Sequence, residues 1–202
     1  MAPRVANVAA SSDQWIRLHS VPWKTYEAIT ETIGDRSSPR TTYLEGELEI
    51  MSPGMRHEHW ASLLARLIEM WAVERGIPLN AFGSWTHRKK RRAAGLEPDE
   101  CYSVGQPGEV ADLAIEVIDT HGTIDKLAVY RRLGVGEVWI WEDEKLQVFA
   151  LGKAGYSRRK ASRVLPGFPL GEAERILRET DFEDQTSAVI EFRRSISELG
   201  DE

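Results

Sequence analysis

Between Glu97 and Trp141 the chain reads EPDECYSVGQPGEVADLAIEVIDTHGTIDKLAVYRRLGVGEVWIW, and no other stretch restricts its fold as much. Two short β-type runs, at 97–104 and 111–118, are split by Gly105-Gln106-Pro107-Gly108, a cluster that breaks regular structure. Each run carries an acid, Asp99 in the first and Glu116 in the second. The segment 124–133 then reads as a helix stopped by Gly134, and 137–141 as a buried strand. This order predicts an α/β fold, a central mixed sheet flanked by helices.

The remaining sequence extends that frame. Residues 1–12 are small and polar and are expected to be a disordered tail, leaving 13–202 as one domain. Pro22 and Gly34 bracket a helix whose Trp23, Tyr26, Ile29 and Ile33 keep helical spacing. Residues 41–51 read as a hairpin around Glu45-Gly46, with Leu48 and Ile50 on one face and Glu47 and Glu49 on the other. From His57 to Arg75, the stripe Trp60, Leu63, Leu64, Leu67 and Trp71 marks a long helix capped by Gly76. A strand at 79–86 leads into the basic run Arg88-Lys89-Lys90-Arg91-Arg92, placed at a hairpin tip or loop. A meander at 145–159 and two helices near 172–179 and 184–198 complete the chain.

Composition removes several classes of function. An apolar share of 42% with seven Trp supports a real core, yet no run reaches the roughly 18–20 apolar residues of a membrane helix. The N-terminus lacks a secretory pattern, and the lone Cys101 cannot form an internal disulfide, so a reducing cytoplasm fits. Net charge is −6, so nucleic-acid binding would need a local basic patch. Arg88, Lys89, Lys90, Arg91 and Arg92 are the candidates. His57 and His59, flanking a helix start, are further candidates for contact with DNA phosphates or with a metal-bound water, His57 being the one taken as a nucleic-acid contact. His57 and His59 stand two apart and do not share a helix face, which argues against a two-histidine metal site. Cys101 has no base at a diagnostic spacing and reads as a small strand residue; Trp139 and Trp141 read as core.

Geometry selects which acids can act together. Asp112 and Glu116 are four apart on one strand, so their Cα atoms are roughly 13 Å apart, too far for one Mg²⁺ with ligands at about 2.0–2.1 Å. A partner for Glu116 must come from a neighbouring strand about 4.8 Å away. Asp99 is that partner if the strands on either side of the Gly-Pro-Gly loop pair, and Asp112 is then a strand-entry acid. If Thr123 caps the next helix, Lys126 sits in its first turn, where the dipole disfavours a cation by about 0.3–1 kcal/mol. A lysine placed against that rule answers to something anionic outside the helix; the plainer alternative is a solvated lysine beside Asp125.

These residues resemble the Uma-two family of restriction endonucleases, within the PD-(D/E)XK nuclease superfamily. The matching stretches are Tyr43 to Pro53 (YLEGELEIMSP), Gly95 to Tyr102 (GLEPDECY), Asp112 to Val117 (DLAIEV), Asp125 to Tyr130 (DKLAVY) and Leu133 to Trp139 (LGVGEVW). The resemblance implies a restriction-endonuclease-like core with N- and C-terminal helical additions. It also implies DNA as substrate and Mg²⁺, or Mn²⁺ in its place, held by Asp99 and Glu116. Glu47 looks like the acid carried on the early hairpin, as a third metal or catalytic group, and Lys126 like the active-site lysine. Two positions depart from the superfamily pattern: Ile118 occupies the usual lysine slot, and Ala111 stands before Asp112 where relatives tend to have proline. Cutting both strands favours two active sites, so a homodimer is expected, although no interface can be read from the sequence.

Two other readings stay open on sequence alone. One is a nuclease-fold protein that binds nucleic acid or a partner without cutting; the other is a metal-free hydrolase built on paired carboxylates. Metal binding and chelator sensitivity separate them.

Overall fold

The computed structural model describes residues 12–198 apart from 35, 37, 121, 181 and 183, so the expected tail lies outside the described residues except for Ser12. In chain order the elements are β1 (Gln14–Leu18), α1 (Trp23–Ile33), β2 (Arg40–Leu44), β3 (Glu47–Ser52), α2 (Met55–Arg75), β4 (Leu79–Ala81), β5 (His87–Lys89), β6 (Ala94–Leu96), β7 (Glu100–Val104), β8 (Leu113–Ile118), α3 (Lys126–Leu133), β9 (Glu137–Glu142), β10 (Lys145–Gly152), β11 (Gly155–Arg159), α4 (Leu170–Glu179) and α5 (Gln185–Glu198). A 3₁₀ turn, Lys90–Arg92, links β5 to β6.

The strands divide between two sheets. One is antiparallel, in the order β1-β3-β2-β6-β5; the other is mixed, in the order β11-β10-β9-β8-β7-β4. The parallel pair is β8–β9, and α3 is the crossover that a parallel connection requires. Strand β1 was not expected from sequence: its QWIRL run is largely exposed and shows no clean alternation. The expected strand at 79–86 is shorter, and the basic run is half strand and half turn.

Alternation along β8 and β9 builds two cores. Ile115, Val117, Trp139 and Trp141 face α2, where Leu63, Leu64, Leu67 and Trp71 cover them, with α4 and α5 alongside. Each of those leucines is fully buried, worth about 1.5–3 kcal/mol apiece. Ala114, Val138 and Ile140 face the other way, onto Val129, Tyr130 and Leu133 of α3 and onto Ala94 and Leu96 of β6. Helix α3 is therefore wedged between the two sheets, and Glu116, one step from Ile115 and Val117, lies on its side of β8.

Candidate active site

The Pro98-Asp99 pair is where the chain changes sheets. Strand β6 ends at Leu96 in the first sheet and β7 begins at Glu100 in the second. The Glu97 amide still donates to Thr41 of the first sheet (3.2 Å), and the Asp99 amide already donates to Ile115 of the second (3.2 Å). Between them Pro98 has no N–H to leave unpaired at the jump. The β7–β8 register pairs Glu100 with Ile115, so one step on, Asp99 stands opposite Glu116 on the same face. The expected cross-strand pair is thus brought together.

Glu116 is completely buried, and two side chains of α3 hold it: the Lys126 ammonium donates to Oε2 and the Tyr130 hydroxyl to Oε1. Lys126 and Tyr130 are four apart, hence on one helix face. Burial, with Asp99 adding to it, pushes the Glu116 carboxyl up, and Lys126 opposes the rise. Lys126 keeps its proton because Glu116 and Asp99 outweigh burial. Burial and then Glu116 hold the Tyr130 phenol well above its ordinary value, so it stays a donor. The helix cap is Asp125, which accepts from the Ala128 amide (3.2 Å), not Thr123. Lys126 is therefore the first helical residue, and the anion it answers to is Glu116.

Asp99 is gripped from the opposite side. Its Oδ1 accepts from Arg40 Nη1 (2.6 Å) and His57 Nε2 (2.9 Å), and its Oδ2 from the Val117 amide (2.6 Å). Burial raises the Asp99 carboxyl, but His57, Arg40 and Lys126 prevail and hold it well below the usual carboxylate range. His57 in turn places Nδ1 3.2 Å from Asp13 Oδ2, while Asp13 accepts from the Gly54 amide (2.8 Å) and Thr120 (3.1 Å). Burial works against the His57 proton, yet Asp99 and Asp13 raise it to about 9. The expectation that His57 touches phosphate is corrected here: its side chain is 1% exposed and spent on two buried acids.

The hairpin acid needs a second correction. Glu47 lies half-exposed near the hairpin turn, held by Arg17 (3.0 Å) and His19 (2.7 Å) where β1 ends. Glu49, two residues along the same face, is buried; it accepts from the Thr123 amide (2.6 Å), the Thr123 hydroxyl and the Ile124 amide (3.0 Å). Glu49 lines a cleft of about 340 Å³ with Trp15, Thr120, Lys126 and Phe149. Asp112 staples the Val104 amide (2.9 Å), as a strand-entry acid does. In the basic run, Arg88 donates to Thr30 (3.0 Å) and Lys89 to the Leu133 carbonyl (2.6 Å), while Lys90, Arg91 and Arg92 occupy the exposed turn. Sequence reasoning missed Asp13, Arg40 and Tyr130; of these, Tyr130 had a signal, its four-residue spacing from Lys126.

Asp99 and Glu116 offer a cation hard carboxylate oxygens on facing strands. Glu116 Oε1 and Oε2 and Asp99 Oδ2 each accept one hydrogen bond and keep a second lone pair. Among the described residues no group of three or more His, Cys, Asp or Glu is arranged as a metal cage. Mg²⁺ needs none, since it is commonly held by one or two carboxylates with water and substrate phosphate completing its shell. The donor chemistry therefore fits, with both carboxylates buried and already paired with Arg40, His57 and Lys126.

The fold is α/β of the restriction-endonuclease-like type: mixed strands flanked by five helices, with facing acids at a sheet crossing and a lysine on the crossover helix. The chain belongs to the Uma2 family (Putative restriction endonuclease), whose sequence model matches residues 23–186, and this kinship points to a nuclease. The match begins after β1, so Asp13 and Trp15 lie outside it. No curated protein matches the chain. Among the described residues no helix is long and apolar enough to cross a membrane.

Proposed function

We propose that this protein is a Mg²⁺-dependent endonuclease that hydrolyses DNA phosphodiester bonds. The observation that carries the reading is the facing of Asp99 and Glu116 across β7 and β8, with the Lys126 ammonium on Glu116. Asp99 and Glu116 would hold the ion, with Mn²⁺ able to replace it. When bound, the ion neutralises charge on the scissile phosphate and lowers the pKa of an attacking water.

The chain's own residues do the positioning. Arg40 and His57 keep Asp99 ionised and fix its carboxylate plane. Tyr130, as a neutral phenol, locks one oxygen of Glu116. Lys126, 14% exposed at the cleft wall, presents its remaining N–H donors to a water nucleophile or to phosphate oxygens, where such a donor is worth about 10²–10³ in rate. Glu47 has no part in this scheme because Arg17 and His19 occupy it away from the cleft.

The test is cleavage of supercoiled plasmid and of labelled oligonucleotides with Mg²⁺ or Mn²⁺, against chelator. Wild type nicks or cuts; Asp99→Asn and Glu116→Gln do not. Cleavage that survives in either variant, or in excess EDTA, refutes the assignment.

A further inference from the structure

Beside the Lys126 cleft lies a second, of about 590 Å³, lined by Arg92, Arg131, Arg132 and Tyr156 among others. Asp125 and Leu127 line both, so the two clefts adjoin at the start of α3. The cations of the second cleft are not all explained by local structure. A helix C-terminus attracts basic side chains, but Lys89 already donates to the Leu133 carbonyl, and Arg132 is spent on Glu45 (2.6 Å) and the Arg92 carbonyl (2.8 Å). Arg92 and Arg131 have no ion-pair partner among the described residues. The β10–β11 turn closes on this place: a Cβ on Gly155, whose φ is +127°, would lie 3.4 Å from Arg131 Nη1.

Edge strand β11 adds a third cation. Arg158 pairs with Phe149, and directly opposed side chains share a face, so Arg158 stands over the sheet face where Phe149 lines the Lys126 cleft. Tyr156, two residues earlier on that face, walls the second cleft, its hydroxyl tied to the Val135 carbonyl at 2.5 Å. Charged edge strands deter unwanted pairing, and Arg159, on the opposite face, serves that need equally. In a chain of net charge −6, three unpaired guanidiniums around the second cleft, whose lining acid Asp125 is taken up as the α3 cap, make a local anion site there. The adjoining Lys126 cleft also carries Glu49 and Glu142.

We infer that the adjoining clefts form a phosphodiester track, in which Arg92, Arg131 and Arg158 hold successive phosphates of the strand whose scissile bond lies at Lys126. The course of the strand rests on the nuclease reading; the binding itself does not. The experiment is therefore equilibrium binding in EDTA, by fluorescence anisotropy of a labelled duplex oligonucleotide between 50 and 200 mM salt. Arg92→Gln/Arg131→Gln keeps the aliphatic stems and removes two contacts. Each lost contact lowers the slope of log K against log salt by about 0.9, so the affinity gap between variant and wild type narrows about twelvefold from 50 to 200 mM. Arg178→Gln/Arg194→Gln, which removes equal charge on exposed faces of α4 and α5, leaves the slope unchanged. Photo-crosslinking of wild type to an iodouracil oligonucleotide should label the peptide carrying Tyr156 and Arg158, independently of how any variant folds. Equal slopes for the two double variants, or crosslinks confined to other peptides, overturn the track. Binding that follows the track in a protein that never cleaves with Mg²⁺ defeats the nuclease reading and leaves the track standing.

Discussion

Replacing Lys126 by methionine preserves most of the stem's apolar contact and deletes the ammonium that grips Glu116, a side chain with no exposure. Breaking a buried ion pair by removing one partner costs about 3–5 kcal/mol. A second route bounds the same quantity. Without Lys126, the Glu116 carboxyl faces Asp99 in a buried site and takes up a proton in the folded state. At pH 7 that proton costs about 1.36 × (7 − 4.3), or about 3.7 kcal/mol, against the ionised carboxyl of the unfolded chain. The two agree on about 3–4 kcal/mol. The folded carboxyl then binds its proton more tightly than the unfolded one, so between the two pKa values stability falls by about 1.4 kcal/mol per unit as pH rises. The deficit of Lys126→Met relative to wild type should accordingly shrink to about 1 kcal/mol at pH 5. Urea unfolding in EDTA at pH 5, 6 and 7, followed by tryptophan fluorescence, measures it directly. A deficit below about 1 kcal/mol at pH 7, or one that does not narrow on acidification, would refute the claim that Lys126 answers to a buried Glu116.

Two further outcomes follow from the same cluster. The His57 proton, opposed by burial but raised to about 9 by Asp99 and Asp13, contributes stability that is complete below an unfolded value of about 6.5 and lost as pH rises through 9. This amounts to about 3 kcal/mol, so His57→Gln should flatten the alkaline limb of a urea-stability profile taken between pH 6 and 10. Glu49→Gln removes the charged acceptor of three hydrogen bonds from Thr123 and Ile124; it should cost about 1–3 kcal/mol and speed amide exchange across the lead-in to α3, read by exchange mass spectrometry.

Much of the candidate site was legible because it obeys strand arithmetic or breaks a helix rule. The Asp99–Glu116 pairing followed from period two and one strand spacing, and Lys126 stood out as a cation at a helix start. Glu47 and Glu49 were not separable in that way. They share a face, and the choice between them is made by β1 and the residue after it, where Arg17 and His19 claim the outer acid while Thr123 and Ile124 reach the inner one. Strand β1 itself is exposed and lacks the alternation that marks a strand, so nothing local announced it. Arg40 and His57 carry no local pattern either; Arg40 meets Asp99 across 59 positions of sequence.

The partners of Asp99 and Glu116 explain why this much charge can be buried at one place. Asp13, Asp99 and Glu116 are met by Arg40, His57 and Lys126, so each buried acid touches a cation, and half-exposed Glu58 adds a fourth carboxylate on the outer side of Arg40 (3.0 Å). Its members come from both sheets and from the helices between them: Arg40 from β2, Glu116 from β8, His57 from α2, Lys126 and Tyr130 from α3, with Asp99 at the crossing strand. Each contact is therefore also a tie between layers, beside those that Glu49 makes to Thr123 and Ile124 and Trp15 makes to Thr120. Removing one member leaves another buried charge uncompensated, and the isosteric amides at Asp99 and Glu116 keep the shape but not the charge, so the loss of cleavage in each must be read beside its urea stability. Asp13, reaching in ahead of the family match, belongs to the same ledger: without it His57 loses the anion that holds its far nitrogen, and Asp99 loses a rigid partner.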